Sequence, residues 1–195
     1  CSFACTLAIM YIAPQELQRG LGLDATTAGM LMLAGGVVNA ICSFMAGRLF
    51  DSLGAVPLVR IGALLAIVGS VLFLMIGVGS APVFFVLAHV VFMIGIPFMQ
   101  QSAQSAALKG LPHHLAADGS TILNTMQQVV GAIGTAIATC LLTAGQSAGF
   151  TGEAAAQGFV TGSRHGYIFG LVLIVAALLL SFLLKERRER YQIIG

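Results

Sequence analysis

Three charged residues lie close together in the stretch GRLFDSLGAVPLVR, between two long apolar runs. Asp51 is flanked by Arg48 and Arg60, and carboxylate–guanidinium pairs form strong, charge-assisted hydrogen bonds. Gly47 and Gly54 are residue types that end helices and form turns. We therefore interpret this stretch as a short loop that acts as a conformational latch, closed in one state and open in another. The alternative is an ordinary basic loop at a membrane surface.

A stripe of polar and helix-breaking residues follows one face of a later apolar run. At about 100° per residue, its members fall within an arc of about 80°. They are His89, Met93, Pro97, Gln100 and Gln104. Pro97 removes one backbone hydrogen bond near the middle of the run, so we expect a kink and a neighbouring group or water that satisfies the freed carbonyl. The alternative is polar packing between helices.

A second stripe, in the next apolar run, contains Asn124, Gln127 and Gly131. Because an unpaired amide in hydrocarbon is costly, we expect the two stripes to face each other or an aqueous cavity. Neither stripe contains the nucleophile–base pair that covalent catalysis requires. The sequence therefore predicts a binding cavity without a metal or another cofactor, rather than an enzyme active site.

The composition places these stripes in a membrane. Hydrophobic residues make up 58% of the 195 residues and charged residues only 8%, which excludes an ordinary soluble domain. The long uncharged runs predict an all-α membrane protein with six transmembrane helices, because each run can hold one or two spans of about 20 residues. The net charge of +2 does not indicate a nucleic-acid partner.

The six helices form one predicted domain that covers residues 1–195. Their expected ranges are about 1–13, 26–46, 58–76, 83–108, 119–143 and 165–184. The first range spans roughly 20 Å, which is short for a hydrocarbon core of about 30 Å, so we expect a truncated first helix. Residues 144–164 are rich in Gly, Ala, Ser and Thr and are interpreted as a loose surface connection. Glu16 and Arg19 are interpreted as a surface ion pair, and the alternative is that Glu16 is a carboxylate at the mouth of a pathway.

Basic residues indicate the orientation. Arg48, Arg60, Lys109 and the tail 185–190 fall on one side of the predicted membrane, and the other side carries Arg19 and Arg164. Because positive residues accumulate on the cytoplasmic side, we expect a multi-pass protein of the plasma (inner) membrane with its C-terminus in the cytoplasm.

The spacing G-x-x-x-D-x-x-G formed by Gly47, Asp51 and Gly54 resembles the loop signature of the major facilitator superfamily. The run NTMQQVVGAIGTA, which begins at Asn124, is similar to the penultimate helix of the fourteen-span drug:proton antiporters of that superfamily. Many members carry arginine where this chain has Gln127. The resemblance extends over nearly the whole chain and implies the C-terminal six-helix bundle of a transporter.

The resemblance also implies a function. Transporters of this kind consist of two halves with the substrate site between them. We therefore expect half of a secondary transporter that exports amphipathic or cationic small molecules in exchange for protons by alternating access. Its partners would be the substrate, protons, the lipid bilayer and a missing N-terminal half of six or eight helices. The alternatives are a uniporter or symporter for another solute, and a non-transporting membrane fragment.

Overall fold

Six α-helices account for most of the chain in a computed structural model, which describes residues 1–145 and 153–182. They are α1 (Ser2–Gln15), α2 (Ala25–Leu53), α3 (Ala55–Leu74), α4 (Pro82–Lys109), α5 (Ala116–Gly145) and α6 (Glu153–Ser181). A π-helical turn (Glu16–Gly20) follows α1, and a 3₁₀ turn (His113–Leu115) precedes α5. No strand occurs in the described ranges, so the all-α prediction is confirmed.

Five of these helices are long and apolar enough to cross a membrane. They have 20 to 30 residues, and a helix of 20 residues spans about 30 Å. The remaining helix, α1, has 14 residues and continues into the π-helical turn. The chain is therefore a multi-pass integral membrane protein.

The helices pack as two groups of three. In one group α1 packs against α5 and α6, and in the other α4 packs against α2 and α3. Contacts between α3 and α6 join the two groups. If α1–α3 and α4–α6 are two repeats, α1 corresponds to α4 and α2 corresponds to α5. The contact of α1 with α5 then has the same form as the contact of α4 with α2, as expected of two three-helix repeats.

Glycines allow α3 and α4 to pack closely. A Cβ atom on Gly62 would lie 2.5 Å from the backbone nitrogen of Met99, and one on Gly95 would lie 2.5 Å from that of Ala66. A Cβ atom on Gly69 would likewise lie 2.6 Å from the Phe92 backbone nitrogen. Small residues at such positions let helix backbones approach and gain packing energy in a membrane. This contact fixes α4, and with it the first polar stripe.

The expected loose connection at residues 144–164 is wrong for its second part, because α6 already begins at Glu153. The small residues there are packing contacts: Gly162 lies directly against the Leu142 carbonyl of α5, and Gly145 against Gly162. Composition alone does not separate a flexible linker from a close helix contact, since both favour small side chains. The basic tail 185–190 lies outside the described residues.

The second helix also extends further than predicted, to Leu53 instead of residue 46. Its start is confirmed, because Asp24 is the N-cap and accepts hydrogen bonds from the Thr27 backbone nitrogen at 3.0 Å and the Thr27 hydroxyl at 2.6 Å. These hydrogen bonds from Thr27 lower the pKa of Asp24. Helix α2 therefore passes through Arg48 and Asp51, which the sequence placed in a loop.

Candidate functional site

Asp51 joins the ends of two helices. Its Oδ1 atom lies 3.2 Å from Nζ of Lys109, in the last turn of α4. The lysine also lies 4.3 Å from the ring centroid of Phe50, a cation–π contact. Both side chains of the ion pair are largely exposed, so the pair can open without burying a charge.

The expected partners of Asp51, Arg48 and Arg60, are engaged elsewhere in this conformation. The Arg48 guanidinium lies 4.4 Å from the Phe44 ring centroid, and that of Arg60 lies 4.4 Å from the Phe182 centroid. Within residues 1–145 and 153–182, neither arginine forms a salt bridge with Asp51. The prediction of these two partners was wrong for this state, because proximity in sequence does not reveal that the end of α4 lies beside the end of α2.

The two glycines of the stretch have different roles. Gly54 separates α2 from α3 with φ 80°, a left-handed value that favours glycine, and so it makes the sharp turn that the motif predicts. Gly47 does not end a helix; it is exposed within α2, and a Cβ on it would meet nothing within 4 Å. The chain therefore turns at Gly54 and not at Gly47.

Pro97 lies inside α4, and the carbonyl that it frees has a partner. In a regular helix the backbone N–H of residue 97 would donate to the carbonyl of Met93, four residues earlier. Here the Asn39 Nδ2 of α2 donates to that carbonyl oxygen at 3.4 Å. The expectation that a neighbouring group satisfies the freed carbonyl is therefore confirmed, and this hydrogen bond ties α2 to α4.

His89 and Met93 are buried, which contradicts their placement on an aqueous cavity. The His89 side chain is 1% exposed, packs directly on Gly35 of α2, and has no hydrogen-bond partner on either ring nitrogen within the described residues. Met93 is 3% exposed. The helical wheel placed them on the same face as the glutamines, but α2 covers this part of the face.

The amides of both stripes remain accessible near the other end of α4. Asn124 is exposed, and Gln100, Gln104 and Gln127 are half-buried. The Gln104 Nε2 donates to the Asn124 Oδ1 at 3.5 Å, across the gap between α4 and α5. The structure thus brings these four predicted residues to one region, at the end of the bundle where Asp51 pairs with Lys109.

Gly131 belongs to a different environment. It is buried where α5 packs on α1, and a Cβ there would lie 2.5 Å from Leu7 and 2.9 Å from Phe3. Its placement in the substrate cavity was therefore wrong. Glycine serves here for close helix packing, which has the same helical spacing as a polar face.

Sequence reasoning missed the polar contact between Glu16 and Tyr167. Glu16 is fully buried rather than paired with Arg19 at the surface, and its Oε2 accepts a hydrogen bond from the Tyr167 hydroxyl of α6. The signal in the sequence was a carboxylate two residues after Pro14, at the end of an apolar helix. Tyr167 was not recognised as the partner of Glu16, because helix six was expected to begin only at residue 165.

One pocket in the described bundle is mainly apolar and separate from the amides. It has a volume of about 220 Å³, is open on one side, lies between α1, α3, α4 and α6, and is lined in part by Cys1, Val59, Met99 and Ala177. It includes no predicted site residue. The amides lie instead at the accessible surface between α4 and α5, which we call the amide groove.

Comparison with known families decides what kind of bundle this is. Residues 1–135 match the family model of the Major Facilitator Superfamily. The chain belongs to the major facilitator superfamily. The turn at Gly54 and the position of Asp51 at the end of α2 are thus the expected features of its loop signature.

Curated relatives in the superfamily are drug-resistance proteins and transporters of unassigned substrate. The lincomycin resistance protein LmrB of Listeria monocytogenes is 37% identical over 193 residues, which are 96% of this chain and 41% of that protein. The LmrB protein of Bacillus subtilis is 33% identical over 194 residues, 94% of this chain and 40% of that protein. The transporter YhcA of Bacillus subtilis is 30% identical over 134 residues, 69% of this chain and 25% of that protein.

The chain therefore spans about two fifths of the length of the LmrB proteins that it matches. No solved structure matches the chain. In a superfamily whose substrate site lies between two bundles, an unpaired bundle should leave its inner surface uncovered. The least buried of the five long helices are α2 and α5.

Proposed function

We propose that this chain is the C-terminal half of a proton-coupled exporter of amphipathic or cationic small molecules. The observation that carries the proposal is the set of four accessible amides of the amide groove, Gln100, Gln104, Asn124 and Gln127, in a bundle of this superfamily. An amide face turned away from its own bundle is costly in lipid, and a substrate cavity shared with a second bundle removes that cost. The lincomycin resistance proteins among the relatives support export of a drug.

The missing half would cover α2 and α5. These helices expose large apolar side chains along their length: Met30, Leu33, Val37, Ile41 and Phe44 on α2, and Ile122, Met126, Val129, Ile133 and Ile137 on α5. Several α2 glycines, including Gly29 and Gly36, have nothing within 4 Å of a Cβ position, and so they leave room for another helix to approach closely. An N-terminal bundle of six or eight helices is the partner we propose for this surface.

The orientation follows from charge. In the bundle, Arg48, Asp51, Arg60 and Lys109 lie at one end, where α6 also ends, and Arg164 lies at the other end, near the Ile76 carbonyl. By the positive-inside rule, the Asp51–Lys109 end and the C-terminus would then lie in the cytoplasm. The membrane that we propose for the protein is the plasma membrane.

The test uses the full-length protein in inside-out membrane vesicles from a host that lacks its own drug exporters. We expect lincomycin, or a cationic dye such as ethidium, to accumulate in the vesicles when their lumen is acidic, and the accumulation to disappear when nigericin collapses the pH gradient. A substrate movement in the opposite direction would indicate a symporter. Uptake that does not depend on the pH gradient would indicate a uniporter. Either result would overturn the proposal.

Matched variants link transport to the groove. Gln104→Ala and Asn124→Ala remove the two partners of one hydrogen bond in the groove, while Gln18→Ala removes an exposed amide at the opposite end of the bundle. We expect the first two variants to change drug selectivity or apparent affinity, and Gln18→Ala to leave both unchanged.

A further inference from the structure

Glu16 lies in an unusual backbone segment at the end of the bundle opposite Asp51. The π-helical turn Glu16–Gly20 ends with the Leu21 N–H donating to the Glu16 carbonyl at 2.9 Å, five residues back. Pro14 precedes the turn inside α1. The π-helix is rare, and single π-helical turns are frequently found at functional sites. The turn positions the Glu16 side chain against α6.

The carboxylate is buried, and only one of its two oxygens has a hydrogen-bond partner among the described residues. Glu16 has no exposed surface. Its Oε2 accepts from the Tyr167 hydroxyl, whereas Oε1 is buried without a partner among the described residues. A buried carboxylate in an apolar site is stable when it carries a proton, and when ionised it requires water or a cation.

No neighbouring cation pairs with Glu16 in the described part of the chain. The elements packed against the turn are α1, α2 and α6. The titratable and charged residues near the turn, in these helices and in the turn itself, are the following: Tyr11 of α1, Arg19 of the turn, Asp24 before α2, and Arg164, His165 and Tyr167 of α6. Arg164 acts on the carboxylate at longer range, but its Nη2 donates to the Ile76 carbonyl at 3.3 Å. Arg19 and His165 are exposed, and Asp24 is held by Thr27.

Tyr167 is held in place by aromatic packing, so the contact with Glu16 depends on the distance between α1 and α6. The Tyr167 ring stacks on Phe73 of α3 with centroids 4.8 Å apart. Phe73 in turn makes an edge contact with Phe85 of α4 at 5.2 Å. A movement of α1 away from α6 would break the hydroxyl–carboxylate contact and admit water to Glu16. In this conformation, polar side chains therefore join helices at both ends of the bundle.

We propose that Glu16 is a proton-binding site that controls closure of the end of the transporter opposite Asp51. When α1 and α6 separate, the carboxylate meets water and ionises. When its Oε1 takes a proton from the external solution, its charge changes from −1 to 0 and the neutral carboxyl group packs against Tyr167. External acid thus favours closure at this end. The assignment of this end to the outside rests on the proposed function.

Cysteine labelling tests the proposal without a transport assay. Val160 is 5% exposed and its side chain packs near Gly20 of the turn, while the next residue, Thr161, is exposed. In the full-length protein without other cysteines, Val160→Cys and Thr161→Cys are labelled separately in intact cells with a membrane-impermeant maleimide. The labelling ratio, defined as the rate at position 160 divided by the rate at position 161, cancels the pH dependence of the thiol reaction and reports opening of this end.

We expect the labelling ratio to rise as the external pH increases from about 5.5 to about 8, by at most about tenfold per pH unit for one coupled proton. Glu16→Gln, a neutral side chain of the same shape, should keep the ratio low at every pH. Asp24→Asn changes an exposed carboxylate near the same end and should leave the pH dependence intact. A pH-independent ratio in the parent protein, or a pH-dependent ratio in Glu16→Gln, would overturn the proposal.

Tyr167→Phe supplies a second, independent variant. It removes the hydroxyl donor but retains the ring that stacks on Phe73, so we expect a raised labelling ratio at all pH values. An unchanged ratio in Tyr167→Phe contradicts the proposed contact between α1 and α6. If drug export is proton-coupled but the labelling ratio does not depend on pH, the proposal for Glu16 is wrong and the proposed function stands. If the labelling ratio depends on pH and on Glu16 in a protein that does not export drugs, the proposal for Glu16 stands and the proposed function is wrong.

Discussion

At the scale of single residues, polar side chains in this bundle act as contacts between helices. Asp51 pairs with Lys109 between α2 and α4, Asn39 donates to a carbonyl of α4, and Glu16 accepts from α6. An exposed ion pair contributes at most about 1 kcal/mol, so the Asp51–Lys109 pair matters more for the balance between conformations than for total stability.

Asp51→Asn should reduce transport by the full-length protein several-fold while expression and thermal stability change little, because it removes an ion pair made in this conformation. Asp51→Lys combined with Lys109→Asp should recover part of the rate, since it rebuilds the pair with reversed charges. Arg48→Gln is the control, as Arg48 contacts Phe44 rather than Asp51. Drug uptake into vesicles measures the effect, and a normal rate in Asp51→Asn would refute the role of this pair.

Asn39→Ala should destabilise the protein by about 1 kcal/mol, because it leaves the Met93 carbonyl without a donor inside the bundle. In a Pro97→Ala background the residue 97 N–H can satisfy that carbonyl, so the same Asn39→Ala change should have a smaller effect. A double-mutant cycle of thermal unfolding in detergent measures the difference. Equal effects of Asn39→Ala in both backgrounds would show that the hydrogen bond does not compensate for the proline.

At the scale of helices, one face of α4 serves two purposes along its length. Toward its start the face is covered by α2, which buries His89 and Met93. Toward its end the face is open and carries Gln100 and Gln104. The change occurs near Pro97, where Asn39 ties the two helices together.

Cysteine accessibility should follow this division. In a background without other cysteines, Gln100→Cys, Asn124→Cys and Gln127→Cys should react with a water-soluble maleimide, because these positions border the amide groove. Met93→Cys and Ala138→Cys, at buried positions on α4 and α5, are the controls and should react slowly. Equal labelling of the two sets, measured by gel shift, would mean that the groove is not the water-filled region.

At the scale of the whole molecule, the bundle has two helices whose outer faces are incomplete. The helices α2 and α5 lie in opposite groups of three, and both expose apolar side chains together with glycine or amide positions. A single bundle provides one wall of a substrate site, and alternating access requires a second bundle against which it moves.

We therefore expect the isolated chain 1–195 not to transport drugs in proteoliposomes, and co-expression with a matching N-terminal bundle to restore export. Without that partner, the amides face lipid or associate with a second copy, and each interhelical hydrogen bond is worth only about 0.6 kcal/mol. Transport and size-exclusion measurements on the fragment, with and without the partner, check this. Proton-dependent export by the purified fragment alone would indicate a homodimeric carrier.

The sequence by itself determined the class of the protein, because long uncharged runs can be stable only as helices in a membrane. It also determined the turn at Gly54 and the need for a partner to the carbonyl freed by Pro97, since each follows from the chemistry of one residue and its neighbours.

Only the tertiary structure decided which polar residues meet. Asp51 contacts Lys109, 58 residues away, and Glu16 contacts Tyr167, 151 residues away. Helical periodicity identifies the residues that share a face, but not the helix that covers it, so it could not separate buried His89 from accessible Gln104. Two glycines that the sequence assigned to a cavity or a linker, Gly131 and Gly162, are close helix contacts for the same physical reason: a side chain of minimal size suits both an open surface and the tightest packing.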